Sequence, residues 1–216
     1  LTFIAPVNAV KYNNSIPIFM DSDNYYNIDS NKTIEFINKE TYFKDGVTYN
    51  KISGNKISGI IPVHVWGNAV QLEDLIEICN NRNINVIEDA SESLGTIYTK
   101  GKYAGKHTGT IGKMGCLSFN GNKILTTGGG GMILTNDENL AIKAQYLSTQ
   151  AKDDPIYYIH NEIGYNFRLT NIQAALGVAQ LEKLSDYLKY KREIYNKYYN
   201  GLKHIKVFSI SESPDY

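Results

Sequence analysis

One feature of this 216-residue chain limits the folds open to it: an amphipathic helical pattern that leads, within a few residues, into a short apolar run. Leu72, Leu75, Ile76 and Cys79 fall at i, i+3, i+4 and i+7, a spacing that puts four apolar side chains on one helical face. Asn85-Val86-Ile87-Glu88-Asp89-Ala90 follows and reads as a buried strand, with Asp89 where the run gives out. Ahead of the helix, Ile60 to Gly67 reads as another strand. Strands and a helix of this kind fit one α/β sheet. Further on, Cys116 to Phe119 reads as a short strand with Ser118 near its end, and Met132 to Thr135 as a second. Between them lie a polar turn carrying Lys123 and four consecutive glycines, residues 128–131. Ligands of α/β sheets bind outside the C-terminal ends of the strands. The pattern delivers a carboxylate, a hydroxyl and an amine to such ends: Asp89, Ser118 and Lys123.

Three chemistries use a set of this kind. A Walker-type phosphate loop places Ser or Thr directly after its Gly-Lys and then starts a helix; here the lysine follows Gly121-Asn122 and Ile124 comes next, so that reading fails. A dinucleotide fingerprint needs glycines that open a helix, whereas residues 128–131 lead into a strand. The third is a pyridoxal phosphate site, in which a lysine forms a Schiff base and an acid pairs with the pyridinium nitrogen. Taken singly, the residues stay open to plainer readings: Lys123 as a solvated turn lysine, Asp89 as a helix N-cap, Ser118 as a satisfied strand hydroxyl.

Composition removes other classes. Lys plus Arg and Asp plus Glu number 22 each, for a formal net charge of zero, and no basic stripe points to nucleic acid. No apolar run reaches membrane-spanning length, and no signal peptide opens the chain. Cys79 and Cys116 sit in apolar contexts and read as reduced core residues, and the four histidines are too scattered to form a metal cluster with them. A cytoplasmic enzyme domain is the expectation. The chain opens directly into an apolar segment and ends at Ser213-Pro214-Asp215-Tyr216 without a closing element, so a piece of a longer protein is expected.

The remaining segments fill in the layout. Val7 to Tyr12 suits a short helix, Ile16 to Asp21 a strand, and Thr33 to Asn38 a helix. Glu40 to Gly59, polar and punctuated by Gly46, Gly54 and Gly59, reads as an inserted β-hairpin at the surface. His64, alone in an apolar strand, reads as a satisfied core residue, and His107 as a solvated one. Asp137 to Leu147 is helical in pattern. From Thr170 a helix runs through Leu184 and continues, Lys- and Tyr-rich, to about Asn200, with its charges on a solvated face. Ile205 to Phe208 reads as a strand.

Four stretches, in order along the chain, carry a resemblance. They are Asp89-Ala90-Ser91-Glu92-Ser93-Leu94-Gly95, Ser118-Phe119-Asn120-Gly121-Asn122-Lys123, Thr126-Thr127 with the glycines behind them, and Gly164-Tyr165-Asn166-Phe167-Arg168-Leu169. Together the chain resembles the pyridoxal phosphate-dependent nucleotide-sugar aminotransferases of the DegT/DnrJ/EryC1/StrS group. The resemblance implies the three-layer α/β large domain of fold-type-I aminotransferases, with a mostly parallel central sheet. Residues 1–200 would form that domain without its N-terminal part, and residues 201–216 would begin a small C-terminal domain that is largely missing. It implies that Lys123 forms the Schiff base and then moves the proton between donor and cofactor carbons. Asp89 would face the pyridinium nitrogen, Ser118 the phosphate and Glu92 the ring hydroxyl. Phe3 would stack on the ring, and Asn166 would reach the phosphate held by a neighbouring subunit, which makes a homodimer with shared sites. Arg168 would meet a substrate phosphate or form a structural salt bridge. Lys113 departs from the acidic residue of the family's pattern, outside the site. The implied reaction is amino transfer, with glutamate as donor, to C4 of a nucleotide-linked 4-keto-6-deoxy sugar, nearest to enzymes of legionaminic-acid-type pathways. The alternatives are a deoxysugar dehydratase, which the presence of Lys123 disfavours, and a non-catalytic sensor or structural relative. The isolated 216-residue chain is expected to bind the cofactor poorly.

Overall fold

The structure, a computed structural model, describes residues 1–205 and 213–216. The helical pattern around Leu75 becomes α3 (Glu73–Asn81), whose first turn carries Glu73 and Asp74, both favourable to the helix dipole. Its inner face buries Leu75, Ile76 and Cys79. These pack with Ile37 of α2 (Ser30–Glu40) and Val86 of β4 (Asn85–Asp89), together with Ala69, Val70, Leu72 and Tyr98. Leu72 and Leu75 are wholly shielded from solvent, and burial of such a side chain contributes about 1.5–3 kcal/mol. Asp29 caps α2 by accepting the Lys32 amide at 3.0 Å, which orients the helix so that Thr33 and Ile37 face inward.

The central sheet has four strands in the order β3 (Gly59–Ile60), β4, β5 (Met114–Ser118) and β6 (Gly131–Leu134). β3, β4 and β5 are parallel, and β6 returns antiparallel with Ser118 opposite Gly131. The sheet is therefore mixed and mostly parallel, as expected. At Gly115 a Cβ would lie 1.9 Å from the Gly109 carbonyl, so the 109–112 loop crosses directly over the sheet there.

The 40–59 insertion forms the expected hairpin, β1 (Thr41–Lys44) and β2 (Val47–Asn50). Asp45 and Gly46 both hold positive φ, 50° and 76°, in the two-residue connection such hairpins favour. Opposed Tyr42 and Tyr49 stack with ring centroids 5.3 Å apart. The hairpin is not wholly superficial, since Thr41 and Thr48 are buried.

The remaining helices are α1 (Ile4–Tyr12), α4 (Glu138–Ser148, capped by Asp137), α5 (Asn171–Leu181) and α6 (Leu184–Leu202). Thr170 and Gln173 form a capping box at the start of α5. The single helix expected from Thr170 onward is broken at residues 182–183. α5 buries none of its residues, although Ile172, Leu176, Val178 and Leu181 are apolar.

Two strand expectations are corrected. Residues 16–21 form no strand, and Ile16, Ile18 and Phe19 are exposed; β-rich composition makes no strand without a neighbour to pair with. The strand from Ile60 toward Gly67 ends almost at once. Pro62 has no N–H for the ladder, only Val63 regains a bridge to Asp89, and Val65–Gly67 coil into a 3₁₀ turn. The strand expected at 205–208 falls mostly on Lys206, Val207 and Phe208, outside the described residues.

Candidate active site at the strand ends

β4 and β5 lie side by side and parallel, so their last residues, Asp89 and Ser118, emerge at the same edge of the sheet. Asp89 is held by its backbone: its amide donates to the Pro62 carbonyl at 2.9 Å and its carbonyl accepts from the His64 amide at 3.0 Å. Its Oδ1 accepts the Ser91 amide at 3.0 Å, and among the described residues no protein group bonds the other oxygen. The Ser118 hydroxyl oxygen accepts the Asn120 amide at 3.4 Å, leaving its proton to be donated elsewhere.

The chain then turns. The Lys123 amide donates to the Asn120 carbonyl at 3.0 Å, and the Thr127 amide and Thr126 hydroxyl both donate to the Phe119 carbonyl at 3.0 Å. Gln180 of α5 reaches over to accept the Thr126 amide at 3.0 Å. The turn thus hangs from a helix, and the Lys123 side chain is only 17% exposed. Its Nζ lies 3.6 Å from Glu92 Oε1, close enough for an ion pair and too far for a good hydrogen bond. The other Glu92 oxygen accepts the Trp66 amide at 2.9 Å. Beside the lysine runs an open groove of roughly 330 Å³, lined by Ile124, Thr126, Gln180, Tyr187 and Tyr190.

Of the residues singled out in the sequence, Asp89, Glu92, Ser118 and Lys123 therefore share one edge. Phe3 and Asn166 make no described contact with those four. Phe3 precedes α1 without capping it and is 78% exposed, and exposed Asn166 bridges Thr149 in the segment after α4. Arg168 is exposed and forms no ion pair among the described residues. Lys113 donates to Asn85 Oδ1 at 3.1 Å, at the far end of β4.

Behind Asp89 lies a group the sequence reading passed over. Glu88 is fully buried and points to the other side of β4. Its Oε1 accepts the Ile111 and Gly112 amides, both at 2.6 Å, and its Oε2 accepts the Gly109 amide at 2.8 Å and faces His64 Nε2 at 2.9 Å. The Val70 amide donates to His64 Nδ1 at 3.0 Å, so the ring proton belongs on Nε2, where it is given to Glu88. Burial pushes the Glu88 carboxyl upward; the His64 hydrogen bond and the Gly112 and Gly109 amides outweigh it and hold the group below its ordinary value. The expectation that His64 is a satisfied core residue is met on both nitrogens. The signal for Glu88 was its parity with Val86 on a strand whose inward face is apolar.

Trp66 and Asn27 were also passed over. Trp66 has φ 54°, the left-handed region, where a bulky side chain carries strain of about 1–3 kcal/mol. Asn27 is fully buried, accepts the Val65 amide at 2.9 Å and donates to the Ala69 carbonyl at 2.8 Å, pinning the turn that carries Trp66.

The model of the DegT/DnrJ/EryC1/StrS aminotransferase family matches residues 1–215. The chain belongs to this family. It is 40% identical over 205 residues to a GDP-perosamine synthase of Escherichia coli O157:H7, an alignment covering 94% of this chain and 51% of that protein. It is 38% identical over 205 residues to EpsN of Bacillus subtilis (strain 168), named as a candidate pyridoxal phosphate-dependent aminotransferase, covering 94% of this chain and 49% of that one. Among solved structures it superposes with a family aminotransferase from Brucella abortus at a TM-score of 0.83 and 28% identity, covering 99% of this chain and 53% of the other. It also superposes with Helicobacter pylori PseC, an aminotransferase of pseudoaminic acid biosynthesis, at 0.79 and 26%, covering 94% and 50%. The chain thus spans about half the length of the curated relatives it matches. The family is pyridoxal phosphate-dependent, and the donor set fits that group: an amine for its aldehyde, a carboxylate for its ring nitrogen, and a hydroxyl with a free proton for its phosphate.

Proposed function

We propose that the protein containing this chain transfers an amino group from an amino acid to the keto carbon of a nucleotide-linked sugar. The finer reading is glutamate as donor and C4 of a 4-keto-6-deoxy hexose as acceptor, in a cytoplasmic homodimer with shared sites. Residues 1–200 would serve as the cofactor-binding large domain, and residues 201–216 as the start of a smaller one. The observation that carries the reading is Lys123: a largely shielded amine beside the Glu92 carboxylate, at the edge where Asp89 and Ser118 also end.

Pyridoxal phosphate, when bound, supplies an aldehyde for amine exchange and a ring that takes up the electron pair released from the donor carbon. The chain's residues do the rest. Lys123 would hold the cofactor through its amine and, once freed from it, would serve as the base and acid that moves the donor's proton. Asp89 would pair with the ring nitrogen and keep a proton on it. Its backbone bonds to Pro62 and His64 fix where the residue sits. Ser118 donates its hydroxyl to the phosphate. Glu92, which faces Lys123, would meet the ring hydroxyl, and Phe3 would cover one ring face. Asn166 would serve the site of the neighbouring subunit. Family membership and the likeness to GDP-perosamine synthase support a sugar acceptor.

The test is an absorbance spectrum of the full-length protein with pyridoxal phosphate, wild type against Lys123→Ala. A borohydride-reducible band present only in the wild type and bleached by glutamate supports the donor half. Turnover of a panel of keto nucleotide sugars then defines the acceptor. A folded wild type with no such band refutes the reading.

A further inference from the structure

The turn carrying Trp66 is more firmly held than its own packing requires. Asn27 grips its Val65 amide and its Asn68 and Ala69 carbonyls, the latter two at 3.3 and 2.8 Å. His64 Nδ1 accepts the Val70 amide, the Thr96 hydroxyl donates to the Gly67 carbonyl at 2.8 Å, and Glu92 accepts the Trp66 amide itself. Four side chains from separate parts of the chain thus enforce a left-handed tryptophan. Its ring is not buried by that effort: Trp66 is 62% exposed. Tyr26, packed edge-on against it with centroids 5.1 Å apart, is also left-handed, at φ 66°. Strain that persists because its surroundings over-determine it gathers at ligand-binding positions. The two aromatics form a rigid, exposed shelf. It begins one carboxylate away from the reactive amine, since Glu92 holds the Trp66 amide with one oxygen and faces Lys123 with the other.

We propose that Trp66, supported by Tyr26, is the wall against which the hexose ring of the acceptor lies. The inference rests on the amino-transfer reading and deepens it. A hexose offers a face of C–H bonds, which an aromatic ring with a negative π-face attracts. The carbon to be aminated must come to the amine, so the sugar itself reaches a shelf this near. A nucleobase is held off by the diphosphate between it and the sugar, and an amino-acid donor has no flat face to lay down. Trp66 would thereby choose the acceptor and set which ring carbon meets the amine.

The experiment uses the full-length, cofactor-loaded protein. Subtracting the emission of Trp66→Phe from that of the wild type isolates this one indole. Unreactive pairs serve as probes: GDP-mannose against GDP, and UDP-N-acetylglucosamine against UDP. The expected result is a saturable change in the difference spectrum with at least one nucleotide sugar and not with its nucleotide alone. Trp66→Ala should raise KM for the keto-sugar about tenfold, the worth of one good aromatic contact, while the rate of bleaching by glutamate stays within twofold. Trp66→Phe should restore most of the affinity. An equal change with nucleotide alone would place the base on the shelf, and a change that follows protein concentration would make it a subunit contact; either overturns the proposal. An active enzyme with unchanged KM in Trp66→Ala sinks this inference alone, whereas a wild type without the cofactor band sinks the amino-transfer reading and this one with it.

Discussion

Replacing Glu88 by glutamine tests whether the buried carboxylate is needed as a charge. The wild-type group accepts four hydrogen bonds, two on each oxygen, from the Ile111, Gly112 and Gly109 amides and His64 Nε2. A glutamine has one acceptor oxygen, so in either orientation its NH₂ must face two of those donors. If it faces Gly109 and His64, the histidine can move its proton to Nδ1 and accept, but Nδ1 then confronts the Val70 amide. The conflict moves without disappearing. Each buried donor left without a partner costs about 1–3 kcal/mol, more where its acceptor was charged, and two are left facing the amide here. Glu88→Gln should therefore destabilise the domain by about 3–5 kcal/mol, a large part of an ordinary stability of about 5–15 kcal/mol. Urea unfolding of the full-length protein, read as a shift in midpoint at constant slope, measures it. The pH dependence gives a second reading. Glu88 is held below its ordinary value of 4.5, so its stabilisation is complete above that pH and is lost as pH falls through the lower folded value. The wild type should weaken below about pH 4.5, and Glu88→Gln should have lost that dependence. If the variant does not fold, hydrogen exchange at the Gly109, Ile111 and Gly112 amides of the wild type, accelerating over the same acid range, gives the answer. A midpoint within about 1 kcal/mol of wild type would refute the assignment of this group as an obligatory anion.

Three further outcomes follow from the packing. Gly115→Ala would place a methyl 1.9 Å from the Gly109 carbonyl, so it should fail to give soluble protein or lose more than about 3 kcal/mol by thermal melt, whereas Gly121→Ala, with nothing within 4 Å, should melt within a degree or two. Gly46→Ala, at φ 76° in the hairpin turn, should cost about 1 kcal/mol in the same assay. Burial pushes the Cys79 thiol up to about 11, so Cys79 should resist a thiol reagent at pH 8 in the native state and react fully in denaturant.

The candidate residues at the strand ends could be picked out before the structure because they interrupt apolar runs. Asp89 and Ser118 stand where strands give out, and strand ends are where an α/β sheet presents chemistry. Lys123 alone was ambiguous, and only the ordered company of the other stretches distinguished it from a turn lysine. Glu88 stayed hidden for the opposite reason. A carboxylate inside a strand looks like the solvated face, and nothing local reveals three amides arriving from residues 109–112. Trp66 was illegible because its distinguishing property is a backbone angle held by side chains from residues 27, 92 and 96 as well as by its neighbour His64. The strand read into residues 16–21 failed for want of a partner, which composition cannot supply. The break at residues 182–183 escaped because neither Glu182 nor Lys183 is a helix breaker.

The suspension of the lysine turn from α5 has a mechanical consequence. Gln180 holds the Thr126 amide, and Leu188 of α6 packs so closely on Gly95 that a Cβ there would come within 2.8 Å of it. The two helices therefore set the separation of Lys123 and Glu92 the way the arms of a caliper set its jaws, with the joint at residues 182–183. Bending at that joint should therefore register as a change in the gap between amine and carboxylate.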